Sequence, residues 1–248
     1  MRKALLLILF LPGIQFMAFS QDGQKDRDFK NTIRINITNP IIFGTKSLIF
    51  GYERVLNKKS SFSINVGQAS FPKFNLIDAD SLVSKSVVSE KGYNVSGDYR
   101  FYLSNINKYA APRGVYIGPY FSYNYFERKN AWSLTSTGGG EQLVESTTTL
   151  KVANVGFQMG YQFVFWDRFS LDMILFGPGV ASYNLKATLA DNLSEEDRQK
   201  FFQAINNALE DKLPGIGIVI DEGEFSKTGS TNTTSAGFRY MVLLGIRF

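Results

Sequence analysis

The sequence predicts an all-β fold: an eight-stranded antiparallel up-and-down β-barrel with one helical insertion in its last long connection. Three observations predict it. Large apolar residues recur at every second position in eight segments, the period of a strand whose two faces meet different surroundings. The connections between segments tend to alternate between short turns and long polar stretches. The 248 residues include 22 Phe, 12 Tyr and 2 Trp, yet after the first twenty residues no continuous apolar run suits a membrane-crossing helix.

The segments follow in order. Residues 32–38 set Ile33, Ile35 and Ile37 against Arg34 and Asn36, and Asn39-Pro40 with Gly44 then turns the chain. Residues 47–55 place Leu48, Phe50 and Tyr52 opposite Ile49, Gly51 and Glu53, and Asn57-Lys58-Lys59 is a tight turn. Residues 61–69 oppose Phe62, Ile64 and Val66 to Ser63, Asn65 and Gly67. A polar, patternless connection over 73–92 follows.

Residues 93–103 set Tyr93, Val95, Tyr99, Phe101 and Leu103 against Asn94, Ser96, Asp98, Arg100 and Tyr102. Residues 115–125 repeat the pattern with Val115, Ile117, Phe121, Tyr123 and Tyr125. Pro119 interrupts them and predicts a bulge or weakened pairing, because proline has no N–H to give a ladder. The loop over 127–146 holds Gly138-Gly139-Gly140 and is expected to be flexible; it lacks the strand, helix and lysine context of a phosphate loop. Residues 149–165, a turn at Trp166-Asp167-Arg168, and residues 169–176 complete the seventh strand. The eighth, 236–248, alternates Phe238, Tyr240, Val242, Leu244, Ile246 and Phe248 with Arg239, Met241, Leu243, Gly245 and Arg247.

Alternation alone does not say which face is inside, but the content of the two faces does. One is large and apolar except at Gly97 and Pro119. The other is rich in Gly, Tyr and neutral polar residues, with charges of both signs: Arg34, Arg100, Arg239 and Arg247 against Glu53, Asp98 and Asp172. A soluble barrel would instead cover one face with Lys and Glu. The apolar face is therefore expected to meet lipid, which makes the barrel transmembrane. The seven charges are expected to pair across a lumen that eight strands leave only wide enough for side chains. Closure of such a sheet is obligatory in hydrocarbon.

Residues 1–20 read as a signal peptide: Arg2 and Lys3, an apolar run, and small residues at Ala18 and Ser20 before Gln21. A membrane-anchoring helix is the other reading, but Pro12-Gly13 interrupts an apolar core shorter than the ~20 residues a span requires. Residues 21–30 form a polar lead-in. The barrel proper is assigned to 31–248, with 182–235 as a long extracellular insertion. Within it, Ser194-Glu195-Glu196-Asp197 starts a helix over about 194–211 whose Phe201, Ile205 and Leu209 make an apolar stripe. Pro214-Gly215 ends that helix, and Asp221-Glu222-Gly223 suggests a hairpin. The stripe serves either as a lid packed on the barrel mouth or as a partner-binding surface.

Composition removes several function classes. The chain has no Cys and no His, which excludes disulfides, thiol nucleophiles, lipid-bearing cysteines, His-based triads and the usual His metal sites. A net charge of +5 is too slight and too scattered to argue for nucleic acid. Asp78 and Asp80, and Asp221 and Glu224, lack metal-site spacing. No catalytic residue, metal ligand or cofactor is assigned.

The signal peptide, the alternating segments and the terminal Phe248 together resemble the small Gram-negative outer-membrane β-barrel proteins of the OmpA and OmpX type. The segments TKSLIFGYERVLNKKSSFSINVG and GVYIGPYFSYNYF look like a group of largely uncharacterised barrels of this kind. The resemblance implies an outer-membrane location with both termini periplasmic, outer-membrane lipid and the barrel-assembly machinery as partners, and Tyr240 and Phe248 as part of the assembly signal. It also implies a non-enzymatic role in binding, adhesion or assembly of an envelope complex. Another envelope protein or an extracellular ligand would engage residues 182–235. Two other readings stay open: a lipid-modifying barrel enzyme working without His, and a soluble periplasmic barrel for an apolar ligand.

Overall fold

A computed structural model describes residues 29–70, 82–135, 141–189, 194–196, 198 and 229–248. The strands are β1 (Asn31–Asn36), β2 (Ile49–Asn57), β3 (Ser60–Gln68), β4 (Leu82–Tyr102), β5 (Gly114–Thr135), β6 (Glu141–Phe165), β7 (Phe169–Phe176), β8 (Pro178–Leu189), β9 (Ser230–Phe238) and β10 (Met241–Arg247), and a short helix α1 (Thr38–Phe43) follows β1. Two pairs of these are single staves with a local break. β7 and β8 join through Gly177, just after the register against β6 slips by one residue at Leu175, and β9 and β10 join through Arg239-Tyr240. The result is an all-β, closed, eight-staved antiparallel barrel. Closure comes from β1 against β10, with Ile33 opposite Ile246 and Ile35 opposite Leu244.

The chain folds this way because each stave offers two chemically different faces. β2 alternates buried and exposed from Ile49 to Val55, and β7 buries Ser170, Asp172 and Ile174 while exposing Phe169, Leu175 and Phe176. The apolar face is the outer one: Phe157 is 70% exposed and Leu244 45%, whereas Arg100 is 0% exposed in the interior. Aromatic rings band the outside at two heights. Tyr93 stacks on Tyr125 at 5.2 Å above, and Phe165, Trp166 and Phe169 cluster below with centroids 6.0 to 6.3 Å apart. Small inward residues let the staves approach. A Cβ on Gly118 would collide with the Tyr99 carbonyl oxygen, so that position admits only glycine.

Turn chemistry explains the lower rim. Arg168 donates to the Phe165 carbonyl across Trp166 (φ 48°) and Asp167 (φ 58°), the left-handed pair that a two-residue hairpin turn requires. At the β2–β3 end Lys59 N–H donates to Asn57 Oδ1 at 2.8 Å, an Asx turn.

Several expected boundaries are corrected. β4 begins at Leu82, β5 runs to Thr135 and β6 starts at Glu141, so much of the two connections expected over 73–92 and 127–146 is ladder. β8 continues to Leu189 and β9 starts at Ser230, which takes both ends of the expected 182–235 insertion into the sheet. Pro119 makes no bulge: the β4–β5 register is the same on either side of it, but pairing lapses between Asp98–Tyr120 and Phe101–Ile117. The proline removes a donor without shifting the strand. The first connection holds a helical turn, α1, closed by Gly44 at φ 94°.

Candidate functional site

The lower half of the lumen is an ionic plug. Arg34 (β1), Glu53 (β2), Asp98 and Arg100 (β4), Asp172 (β7) and Arg239 (between β9 and β10) all point inward, because each shares the parity of its stave's buried face. Arg100 is the hub. Its Nε meets Asp98 Oδ1 at 2.5 Å, and its Nη1 meets Asp172 Oδ2 at 2.8 Å and Glu53 Oε1 at 3.3 Å. Arg34 Nη1 meets Asp172 Oδ2 at 2.8 Å and Glu53 Oε2 at 3.7 Å, and Arg239 Nη2 reaches Asp98 Oδ2 at 3.4 Å. Three arginines face three carboxylates, so the plug is neutral.

Neutral side chains fill the remaining acceptor positions. Glu53 accepts from Ser61 Oγ at 2.7 Å, Gln162 Nε2 at 2.9 Å and Tyr102 OH at 3.1 Å. Asp172 accepts from Tyr116 OH at 2.6 Å, and Asp98 from Ser63 Oγ at 3.1 Å. Ser63 also pairs with Arg34. The Arg100 guanidinium lies 4.5 Å over the Tyr116 ring. A buried charge is tolerable only with this degree of pairing and hydrogen bonding. The serines that touch acids are sealed in the plug, out of a substrate's reach.

Arg247 stands apart from the other six charges. Its Nη1 and Nη2 donate to the carbonyls of Asp167 and Phe29 at 3.1 and 2.7 Å, which ties the last strand to the lower rim. Tyr102, Tyr116, Gln162, Ser61 and Ser63 belong to the plug although sequence reasoning does not single them out. Their inward parity is readable; their partners, which depend on register around the whole barrel, are not.

Above the plug lies a cavity of about 260 Å³. Its polar wall includes Asn94, Ser122, Asn124 and Asn154, its apolar wall Ile49, Phe126 and Leu150, and it also touches Arg239. The barrel is uneven at this height. β1 stops at Asn36, Ile37 N–H makes one more bond to Val242 O, and Thr38 Oγ1 accepts from Val242 N–H before the chain swings into α1. β9 pairs with β8 along one edge, and among the described residues no strand pairs with its other edge.

Phe201, Ile205 and Leu209, like Asp78, Asp80, Gly138 to Gly140, Asp221 to Glu224 and residues 1–28, lie outside the described residues. Glu195, Glu196 and Arg198 are helical, with Arg198 N–H donating to Ser194 O at 2.9 Å. Tyr240 and Phe248 are both exposed on the outer face. Among the described residues no three acids could hold a metal ion, and no helix is long and apolar enough to cross a membrane.

Fold and interior together define a closed β-barrel with an apolar exterior and an ionic core. No protein-family model and no curated protein matches the sequence. Among solved structures, the chain is similar to Acinetobacter baumannii CarO2, at 12% identity and a TM-score of 0.36, over 88% of this chain and 96% of that one. A major outer membrane protein from Thermus thermophilus aligns at 10% identity and a TM-score of 0.34, over 88% and 98%. Likenesses at these scores say nothing about function.

Proposed function

We infer that the chain is a non-enzymatic outer-membrane β-barrel whose ionic plug closes the lumen and whose extended upper strands display loops for binding, adhesion or envelope assembly. One observation carries this reading: the barrel is turned inside out relative to a soluble one. Isoleucine, leucine, phenylalanine and tyrosine cover the outer face while arginine and carboxylate meet on the axis. Water would expose that outer belt at a large hydrophobic cost, and lipid would not. An apolar-ligand carrier in the periplasm would need the opposite arrangement. The start of β1 and the end of β10 share the rim that bears the Trp166-Asp167 turn, which we assign with both termini to the periplasmic side, and β4, β5, β6, β8 and β9 project outward.

Two measurements on the mature chain test the reading. Folded protein is expected to require detergent for monodispersity and to migrate differently on gels with and without boiling. A monodisperse monomer in plain buffer overturns it. Cell adhesion or complex capture that disappears when residues 190–228 are replaced by a short linker, with the heat-modifiable form retained, tests loop display.

A further inference from the structure

The cavity above the plug reaches the barrel wall beside α1. Arg239 and Met241 face the lumen, so their neighbours Phe238 and Tyr240 face outward and are exposed. All four nevertheless line the same cavity, together with Ile42 of α1 and with Asn154 and Tyr183 on the lumen side. Exposed Ile42 of α1 and two residues of outward parity sharing one cavity with lumen-facing residues point to that stave's edge. The edge is the one β1 abandons when it turns into α1. The opening therefore lies between α1 and the Phe238–Tyr240 stretch, beside the upper part of the apolar outer belt.

Its chemistry is graded. The outer mouth is apolar: Ile42, Phe238 and Tyr240. The inner end carries the amides of Asn94, Asn124 and Asn154 and the Arg239 guanidinium. Arg239 is 6% exposed and holds one carboxylate contact, at 3.4 Å, besides Met241 Sδ at 3.3 Å from its Nε and the Tyr120 ring at 5.1 Å; its Nη1 has no hydrogen-bond partner. A buried, underused cation is costly unless something pairs with it. At about 260 Å³ the cavity falls below the ~300 Å³ lower bound for sites that enclose a whole small ligand. It suits a head and a few carbons, with the remaining chain outside.

We propose that this lateral opening is a binding site for a single-chain amphiphile with an anionic head, such as a fatty carboxylate, its head against Arg239 and its tail passing between Ile42, Phe238 and Tyr240 into the lipid. The proposal rests on the membrane reading above. Carboxylate oxygens would accept from Arg239 Nη1 and from the asparagine amides, and the tail would never leave apolar surroundings. The mouth selects for one chain, and the guanidinium for charge.

The test is native mass spectrometry of the full barrel released from detergent micelles, with dodecanoate and dodecanol as probes. Wild type is expected to carry one dodecanoate, at least tenfold more occupied than dodecanol at equal concentration. Arg239→Gln is expected to remove that preference. Ser122→Phe, which fills the cavity from the opposite wall without touching the ion pairs, is expected to abolish the adduct. Equal occupancy of the two probes, absence of the dodecanoate adduct, or an adduct that survives Ser122→Phe overturns the proposal. Heat-modifiable migration of each variant verifies folding, and the comparison of probes on wild type decides the matter if either variant fails to fold. Protein that proves monodisperse without detergent refutes the membrane reading instead, a separate outcome of the same preparation.

Discussion

Replacing Arg100 by methionine removes the hub of the plug and leaves three carboxylates facing two arginines. The cost can be worked from what each carboxylate keeps. Asp172 retains Arg34 at 2.8 Å and Tyr116 at 2.6 Å. Glu53 retains Ser61, Gln162 and Tyr102, with Arg34 3.7 Å away. Asp98 is left with Arg239 at 3.4 Å and Ser63 at 3.1 Å, and suffers most. Breaking a fully buried pair costs about 3 to 5 kcal/mol. Because every acid keeps a partner, the lower end is expected, about 3 kcal/mol, or roughly a hundredfold in the unfolding equilibrium. Urea unfolding in phospholipid vesicles, followed by loss of the heat-modifiable band, reads it directly. The charge-balanced double variant Arg100→Met/Glu53→Gln should recover more than half of the loss, since it leaves two intact pairs, Arg34 with Asp172 and Arg239 with Asp98. A single variant within ~1 kcal/mol of wild type, or a double variant less stable than the single one, refutes the neutrality argument for the plug.

Three further outcomes follow from the same geometry. Phe157 lies opposite Pro119, about midway along β6 between the two aromatic bands; Phe157→Arg is expected to cost about 2 to 4 kcal/mol in vesicles, and vesicle unfolding unchanged from wild type would contradict a lipid-facing Phe157. Gly118→Val should prevent formation of the heat-modifiable form, because its side chain would overlap the Tyr99 carbonyl; a normally folded variant would show that β4 and β5 approach less closely. Asp167→Gly, at φ 58°, should stabilise the lower hairpin by about 0.5 to 1 kcal/mol through relief of left-handed strain, measured as a raised urea midpoint; a lowered midpoint would show that the Asp167 side chain matters more than its backbone.

Legibility in the sequence follows contrast between the two faces. β1, β2, β3, β7 and β10 are readable because isoleucine or phenylalanine alternates with serine, asparagine, glycine or a charge. The upper reaches of β6 and β9 are not: Ser146 to Thr149 and Ser230 to Ser235 are polar at every position, so strand period leaves no mark there. Backbone ladders hold those segments together, and a ladder is indifferent to side-chain polarity. Inward parity brings out six charges that do meet, yet it groups Arg247 with them. Parity gives the face but not the height, and Arg247 sits one rim lower, where carbonyls are its partners. The lateral opening has no sequence signature, because it depends on where β1 stops relative to β9, a property of register alone.

Which side of the sheet touches hydrocarbon decides every functional statement made of this barrel. The chain has no native cysteine, so nitroxide labels at Phe157→Cys and Leu244→Cys can be placed singly in protein reconstituted into phospholipid vesicles. A lipid-facing apolar belt predicts relaxation by oxygen, which concentrates in the bilayer, and protection from a water-soluble nickel chelate at both sites. Strong relaxation by the chelate at both would contradict it.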